Sequence, residues 1–138
     1  MEIKTYKLQR HGDYRGSLVA LEEMKDVPFE VKRVYYAFDT KPGVVRGNHA
    51  HKSLEQLRVC VKGSLKLTLD DGTDRQSIVL DNPYEGVYIA NNMWREMSDF
   101  SDDCVMMVFA SKYYDENDYI RDYDEYEKAY KARKLKKN

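Results

Sequence analysis

The chain has 138 residues, 42% apolar and 34% charged, with a net charge of −1 at neutral pH. That length suits one domain with one good core, and the near-zero charge gives no general attraction to nucleic acid or a membrane surface. No apolar run approaches the ~20 residues of a membrane span, and no charged-then-apolar leader opens the chain, so a cytoplasmic protein is expected.

In chain order, short segments rich in Val, Ile, Leu and Tyr recur at residues 3–9, 17–22, 31–38, 55–62, 64–70, 75–80, 86–90 and 104–110. Turn signals separate them: Asp70-Asp71-Gly72 reads as a hairpin, and Gly63 divides two strands. Many evenly spaced short strands predict an all-β jelly roll over residues 1–110 of a single 1–138 domain. His11 falls in an expected loop. Cys60 and Cys104 sit inside apolar runs and read as reduced core thiols. The end of the chain differs. Asp115 is a helix cap ahead of an acidic first turn, and Ile120, Tyr123, Tyr126 and Tyr130 recur at helical spacing, so a helix over 115–135 is expected to pack on the sheets. Its basic end (Lys128, Lys131, Arg133, Lys134, Lys136, Lys137) reads as a solvated helix terminus rather than a nucleic-acid patch.

Residues 43–63, GVVRGNHAHKSLEQLRVCVKG, carry two of the three histidines. His49 and His51 are two apart, a spacing that puts both rings on one face of a strand. Two imidazoles beside Arg46 would fill a core poorly, because buried polar groups need partners. The face is therefore expected to line a cavity, with satisfied structural histidines as the alternative.

The segment resembles the first cupin motif through Gly43, His49, His51 and Gly63. Where metal-binding cupins place a Glu ligand, this chain has Gln56. A second motif is similar to EGVYIANNMWREM, with its turn at Asn91-Asn92, although the family's Gly falls on Tyr84 and its Pro on Ala90. The last metal-binding His falls on Arg95, which has no lone pair to offer. The resemblance implies a cupin, a double-stranded β-helix jelly roll with a C-terminal α-helix. With two of four ligands replaced, it implies no metal or other cofactor, which leaves the histidines free for proton transfer.

Arg46-Gly47-Asn48-His49, Gln56-x-Arg58 and Asp13-Tyr14-Arg15-Gly16 resemble the nucleotide-sugar branch of the cupins. Read in order, RGSLVALEE, KRVYY, RG-x-HAHK, LEQ, LDDG, DCVMMV and YYDE-x-DYIR are similar to the TDP-4-keto-6-deoxy-D-glucose 3,4-ketoisomerases over about residues 12–125. That resemblance implies a TDP-linked keto-sugar substrate and a homodimer with exchanged N-terminal strands. Arg95, with Tyr14 beside Arg15, resembles the members that make the gluco-configured 3-keto product used for 3-amino-3,6-dideoxy sugars.

On this reading His51 is the first base and His49 shuttles protons beside it. Arg58 or Arg95 stabilises an oxyanion, and Tyr36 is a candidate acid. Arg15 and Arg46 hold the diphosphate, Arg33 meets either a surface acid or the nucleotide, and Gln56 and Tyr14 contact substrate. Trp94 is expected to pack rather than stack on a base. The rival readings are a TDP-sugar 3,5-epimerase, a non-catalytic ligand-binding cupin and a metal-dependent dioxygenase.

Overall fold

The computed structural model describes residues 1–137, with side chains through Tyr130. Twelve strands precede one helix: β1 (Lys4–Lys7), β2 (Gln9–Asp13), β3 (Gly16–Ala20), β4 (Arg33–Ala37), β5 (Arg46–His51), β6 (Gln56–Lys62), β7 (Leu65–Asp70), β8 (Arg75–Leu80), β9 (Glu85–Ile89), β10 (Trp94–Ser98), β11 (Val105–Ala110), β12 (Tyr119–Ile120) and α1 (Tyr123–Lys137). One five-stranded sheet runs β1-β9-β6-β11-β4, and a second runs β12-β5-β10-β7-β8. Every pairing between these strands is antiparallel, the expected jelly roll of cupin type.

The space between the sheets divides into two ends. One is apolar: Leu65, Leu67 and Leu69 alternate inward from β7 and meet Val87, Ile89, Met106 and Val108. The other holds the histidines and arginines. The first five residues of β6 are all buried because that strand is covered on both faces. Gln56, Arg58 and Cys60 share one face by alternation. Leu57 and Val59 face the other way, under Leu8, Val27 and Phe29. On the far side of the second sheet, α1 lays Tyr126 against Ala50, Trp94 and Ile120. Trp94 packs, as expected.

The Cys60 and Cys104 sulfurs lie 3.9 Å apart as buried free thiols, and burial pushes the Cys60 thiol up to about 12. The β7–β8 hairpin forms at Asp70-Asp71-Gly72, with Gly72 at φ 95°, and Gly63 turns at φ 73° between β6 and β7.

The structure corrects several expectations. The first expected strand is two, broken at Leu8, whose amide donates to the Tyr84 carbonyl; His11 therefore lies on β2. Strand β10 escaped detection because Trp94–Ser98 mixes Arg and Glu into a run that is buried without being apolar. The helix begins later than expected. Asp115 caps only a 3₁₀ turn, Glu116–Asp118, and the chain then adds β12 to the edge of β5 before Asp122 caps α1 by accepting from the Glu125 amide. Ile120 is thus a strand residue, although it joins the same cluster as Tyr126. Lys128 is exposed, whereas Lys131, Arg133, Lys134, Lys136 and Lys137 fall outside the described side chains.

In this single chain β1 pairs with its own β9, and β2–β3 form a separate two-stranded ribbon. No helix among the described residues is long and apolar enough to cross a membrane.

Candidate active site

Strand β5 is distorted where it carries the histidines. His49 pairs with Arg95 and Gly47 with the adjacent Glu96, so Asn48 is the extra residue of a bulge. Gly47 (φ 89°) and Asn48 (φ 53°) both take left-handed backbone to make it. A Cβ at Gly47 would meet the Arg95 carbonyl oxygen at 2.9 Å, so glycine is needed there for close approach as well as for φ. The distortion leaves both imidazoles on one face, edge to face, with centroids 4.8 Å apart.

The two rings are held differently. His49 Nδ1 lies 2.9 Å from the Gly47 carbonyl, which can only accept; Nδ1 therefore carries the proton and Nε2 the lone pair. His51 is 1% exposed and neither ring nitrogen makes a hydrogen bond, but Nδ1 stands 3.4 Å from an Asp118 oxygen. That carboxylate is itself fixed by the Ser53 amide and hydroxyl and the Leu54 amide. Tyr119, on β12, lies across both imidazoles, 4.3 Å from His51 and 4.9 Å from His49.

Beside the pair, β10 contributes Arg95, and β6 of the other sheet contributes Arg58, which together form a buried cationic cluster. Arg58 is 1% exposed and Arg95 is fully buried. Both guanidiniums donate to one oxygen, Gln56 Oε1, at 2.8 and 2.6 Å, while Gln56 Nε2 donates to the Tyr35 hydroxyl. Arg95 also donates to the Met93 carbonyl, and Arg58 also reaches the Met106 sulfur. Among the described residues no carboxylate pairs with either cation. Two dry positive charges sharing one neutral amide cost several kcal/mol each relative to water. Such a cluster can receive negative charge.

Electrostatics sets the protonation states. Burial, reinforced by the Arg95 charge, lowers the His49 pKa to about 3; burial, Arg95 and the neighbouring His49 lower that of His51 to about 2. Both rings are neutral bases at physiological pH. Burial and the Arg58 charge lower Arg95 to about 9, still a cation. Burial raises the Tyr35 phenol, but Arg58, the Gln56 hydrogen bond, Arg95 and Arg33 outweigh it and leave the group below its ordinary value.

A pH dependence follows. Each imidazole stays neutral in the folded protein yet takes a proton below about pH 6.5 once unfolded. The unfolded chain therefore binds more protons between pH 6.5 and about 3, and stability must fall as the pH is lowered through that window. The loss reaches about 1.4 kcal/mol per pH unit for each histidine. Urea midpoints at pH 7 and pH 5 will show the drop, and the acid limb of kcat/KM will lie well below pH 6.5.

The remaining candidates divide clearly. Arg33 lies against the rings of Tyr35 and Tyr114, and its Nε and Nη2 are buried without a hydrogen-bond partner. It lines a cavity of about 50 Å³ with His51, Ser53, Lys112, Asp115, Asp118 and Tyr119; among the described residues it forms no ion pair with an acid. Arg46 is exposed at the start of β5 and donates to Thr40. Tyr14 and Arg15 occupy the tip of the β2–β3 ribbon, Tyr14 at 97% exposure and Arg15 paired with Asp13. The structure does not bring them to the histidines of their own chain. Nor does it bring Tyr36, which alternation on β4 turns outward beside Phe38, 61% exposed; the tyrosine inside is Tyr35. Asp118 and Tyr119 went unnoticed in the sequence because they looked like the first turn of a helix.

These residues do not fit a metal. Gln56 Oε1 is taken by two guanidiniums, Arg95 offers no lone pair, and among the described residues no group of three His, Cys, Asp or Glu could hold an ion.

Residues 1–131 match the family model described as FdtA: WxcM-like, C-terminal. The chain belongs to this family. A curated relative, TDP-4-oxo-6-deoxy-alpha-D-glucose-3,4-oxoisomerase of Aneurinibacillus thermoaerophilus, is 57% identical over 128 residues, covering 93% of this chain and 92% of the relative. Among solved structures, the QdtA 3,4-ketoisomerase of Thermoanaerobacterium thermosaccharolyticum superposes with a TM-score of 0.92 at 41% identity, covering 95% of each chain; it is a histidine-to-asparagine variant in complex with TDP-4-keto-6-deoxyglucose. The TDP-quinovose 3,4-ketoisomerase WlaRB of Campylobacter jejuni superposes with a TM-score of 0.87 at 50% identity, covering 91% of this chain and 97% of its own. This member of the FdtA family is an isomerase with a ketoisomerase fold.

Proposed function

We propose that this FdtA-family isomerase converts TDP-4-keto-6-deoxy-D-glucose to the gluco-configured 3-keto-6-deoxy sugar through an enediolate. The observation that carries the reading is the pairing of two neutral imidazoles with two buried guanidiniums. The C3 proton of a 4-keto sugar is acidified by the adjacent carbonyl. A neutral base removes it, the C3–C4 enediolate carries the negative charge, the C3 hydroxyl proton passes to the C4 oxygen, and a proton returned to C4 leaves the ketone at C3 and a hydroxyl at C4.

His51 takes the C3 proton. Asp118 beside Nδ1 favours the tautomer with its lone pair on Nε2, and the positive charge developing on the ring gains that carboxylate as a counterion. His49, with a free Nε2, carries protons alongside it. Arg58 and Arg95 meet the enediolate with donors already in place, a contribution on the order of 3 kcal/mol per donor. Tyr35 replaces Tyr36 as the phenol of the site. Arg33, Arg46 and the exposed Arg15 and Tyr14 serve the TDP moiety, where arginine's fork suits a diphosphate. The separate β2–β3 ribbon supports a homodimer in which Arg15 and Tyr14 reach a neighbouring site. Arg95 and the likeness to WlaRB favour the gluco product. The ligand partner is the TDP sugar alone, without nucleic acid or membrane, in the cytoplasm.

The test is the position of the ketone by carbon-13 NMR after incubation with TDP-4-keto-6-deoxyglucose. A C3 carbonyl supports the reading; a C4 carbonyl with inverted neighbouring centres would assign an epimerase. Asp118→Asn should lower kcat at least about tenfold with KM within twofold, because the imidazole loses its counterion and tautomer bias but no substrate contact. Steady-state kinetics decide it.

A further inference from the structure

Outside the second sheet, Tyr126 of α1 is completely buried, and its hydroxyl lies 2.8 Å from the Asn92 carbonyl and 3.0 Å from that of Asp70. Asn92 occupies a left-handed turn at φ 64° and donates its own amide to the His51 carbonyl at 2.6 Å. One residue on, the Met93 carbonyl receives Arg95 Nη2, whose sister nitrogen grips Gln56. The Tyr126 ring also packs on Trp94, the residue before Arg95. One turn therefore fixes the backbone of a histidine and the guanidinium of an arginine on the inner face; the Tyr126 phenol holds it from α1, and the Asn91 side-chain amide ties it to the Lys52 carbonyl.

We propose that Tyr126 is a positioning residue for catalysis: through the Asn91–Met93 turn it sets the distance between the His51 imidazole and the Arg95 guanidinium. The inference rests on the proposed ketoisomerase reading, in which those two groups act on the same enediolate. Misplacement by a fraction of an ångström costs an enzyme rate more than substrate affinity when the displaced groups act in the transition state.

Tyr123 supplies the control. It lies on the same helix, packs on the same Trp94, and donates to the Asp70 carboxylate, with no bond to the turn. Tyr126→Phe removes the hydroxyl that reaches the Asn92 and Asp70 carbonyls, Tyr123→Phe removes the one that donates to the Asp70 carboxylate, and each keeps the ring. Wild type and both variants are assayed together for formation of the 3-keto sugar, for TDP affinity by calorimetry and for Tm.

The expected result is a kcat about tenfold lower for Tyr126→Phe, with TDP affinity within twofold of wild type, and an unchanged kcat for Tyr123→Phe despite a similar loss of Tm. A wild-type kcat in Tyr126→Phe overturns the inference, as does an equal fall in both variants, which would make helix docking the cause. Failure of Tyr126→Phe to fold would also overturn it, since positioning and docking would then be one function. Absence of 3-keto product from wild type would instead refute the functional reading beneath it.

Discussion

His51→Asn is expected to lower kcat by about 10²–10⁴-fold, the usual range for a general base, while TDP binding stays within a few-fold of wild type. The substitution keeps a polar side chain of similar reach against Asp118 and Tyr119, so the pocket wall survives. It removes the nitrogen that, in this account, accepts the carbon-bound proton. Arg33, Arg46 and Arg15 are untouched, and in this account they carry the affinity for the diphosphate. Single-turnover kinetics with TDP titration calorimetry separate the two effects. Equal losses of rate and TDP affinity would mean that His51 shapes the pocket and is not the base.

Gln56→Glu should do something rarer: stabilise the protein while disabling it. The Gln56 oxygen already accepts from both Arg58 and Arg95. A carboxylate there keeps those geometries and turns two neutral-acceptor bonds into charge-assisted ones, which are roughly twice as strong. It also supplies the counterion that the buried pair lacks. A gain of about 1–2 kcal/mol corresponds to a Tm rise of roughly 3–6 °C for a chain of this size. The same carboxylate cancels the positive field that awaits the enediolate, and kcat should fall about 10²–10³-fold. Calorimetry and kinetics on one preparation check both halves. A lower Tm with intact kcat would show that the guanidiniums do not depend on charge balance in the way described. The neutral glutamine is thus read as a residue kept for catalysis at the expense of stability.

Much of this was legible in the sequence because strand periodicity is local. The inward pairing of His49 with His51 follows from a two-residue spacing, and the likeness to cupins placed Gln56 and Arg95 at positions that metal-binding members fill with ligands. What was not legible depends on contacts distant in sequence. Asp118 meets His51 across 67 positions, and only the addition of β12 to the edge of β5 brings it there. Its local pattern, acidic residues after a capping Asp115, is that of a helix start, and the tertiary pairing overrode it. That Tyr35 and not Tyr36 faces the histidines was hidden for a different reason. Alternation shows that they face opposite ways, and Arg33 shares the side of Tyr35; only the partners across the barrel say which side is the site. Strand β10 was hidden because its buried residues include an arginine, which no hydrophobic pattern reports.

The measurement closest to the central claim is turnover of TDP-4-keto-6-deoxyglucose in deuterium oxide, followed by proton and carbon NMR of the product. Proton transfer through a C3–C4 enediolate predicts a ketone at C3, deuterium at C4 and an undisturbed proton at C5. A ketone still at C4 with deuterium at C5 would contradict it and assign the histidine pair to epimerisation.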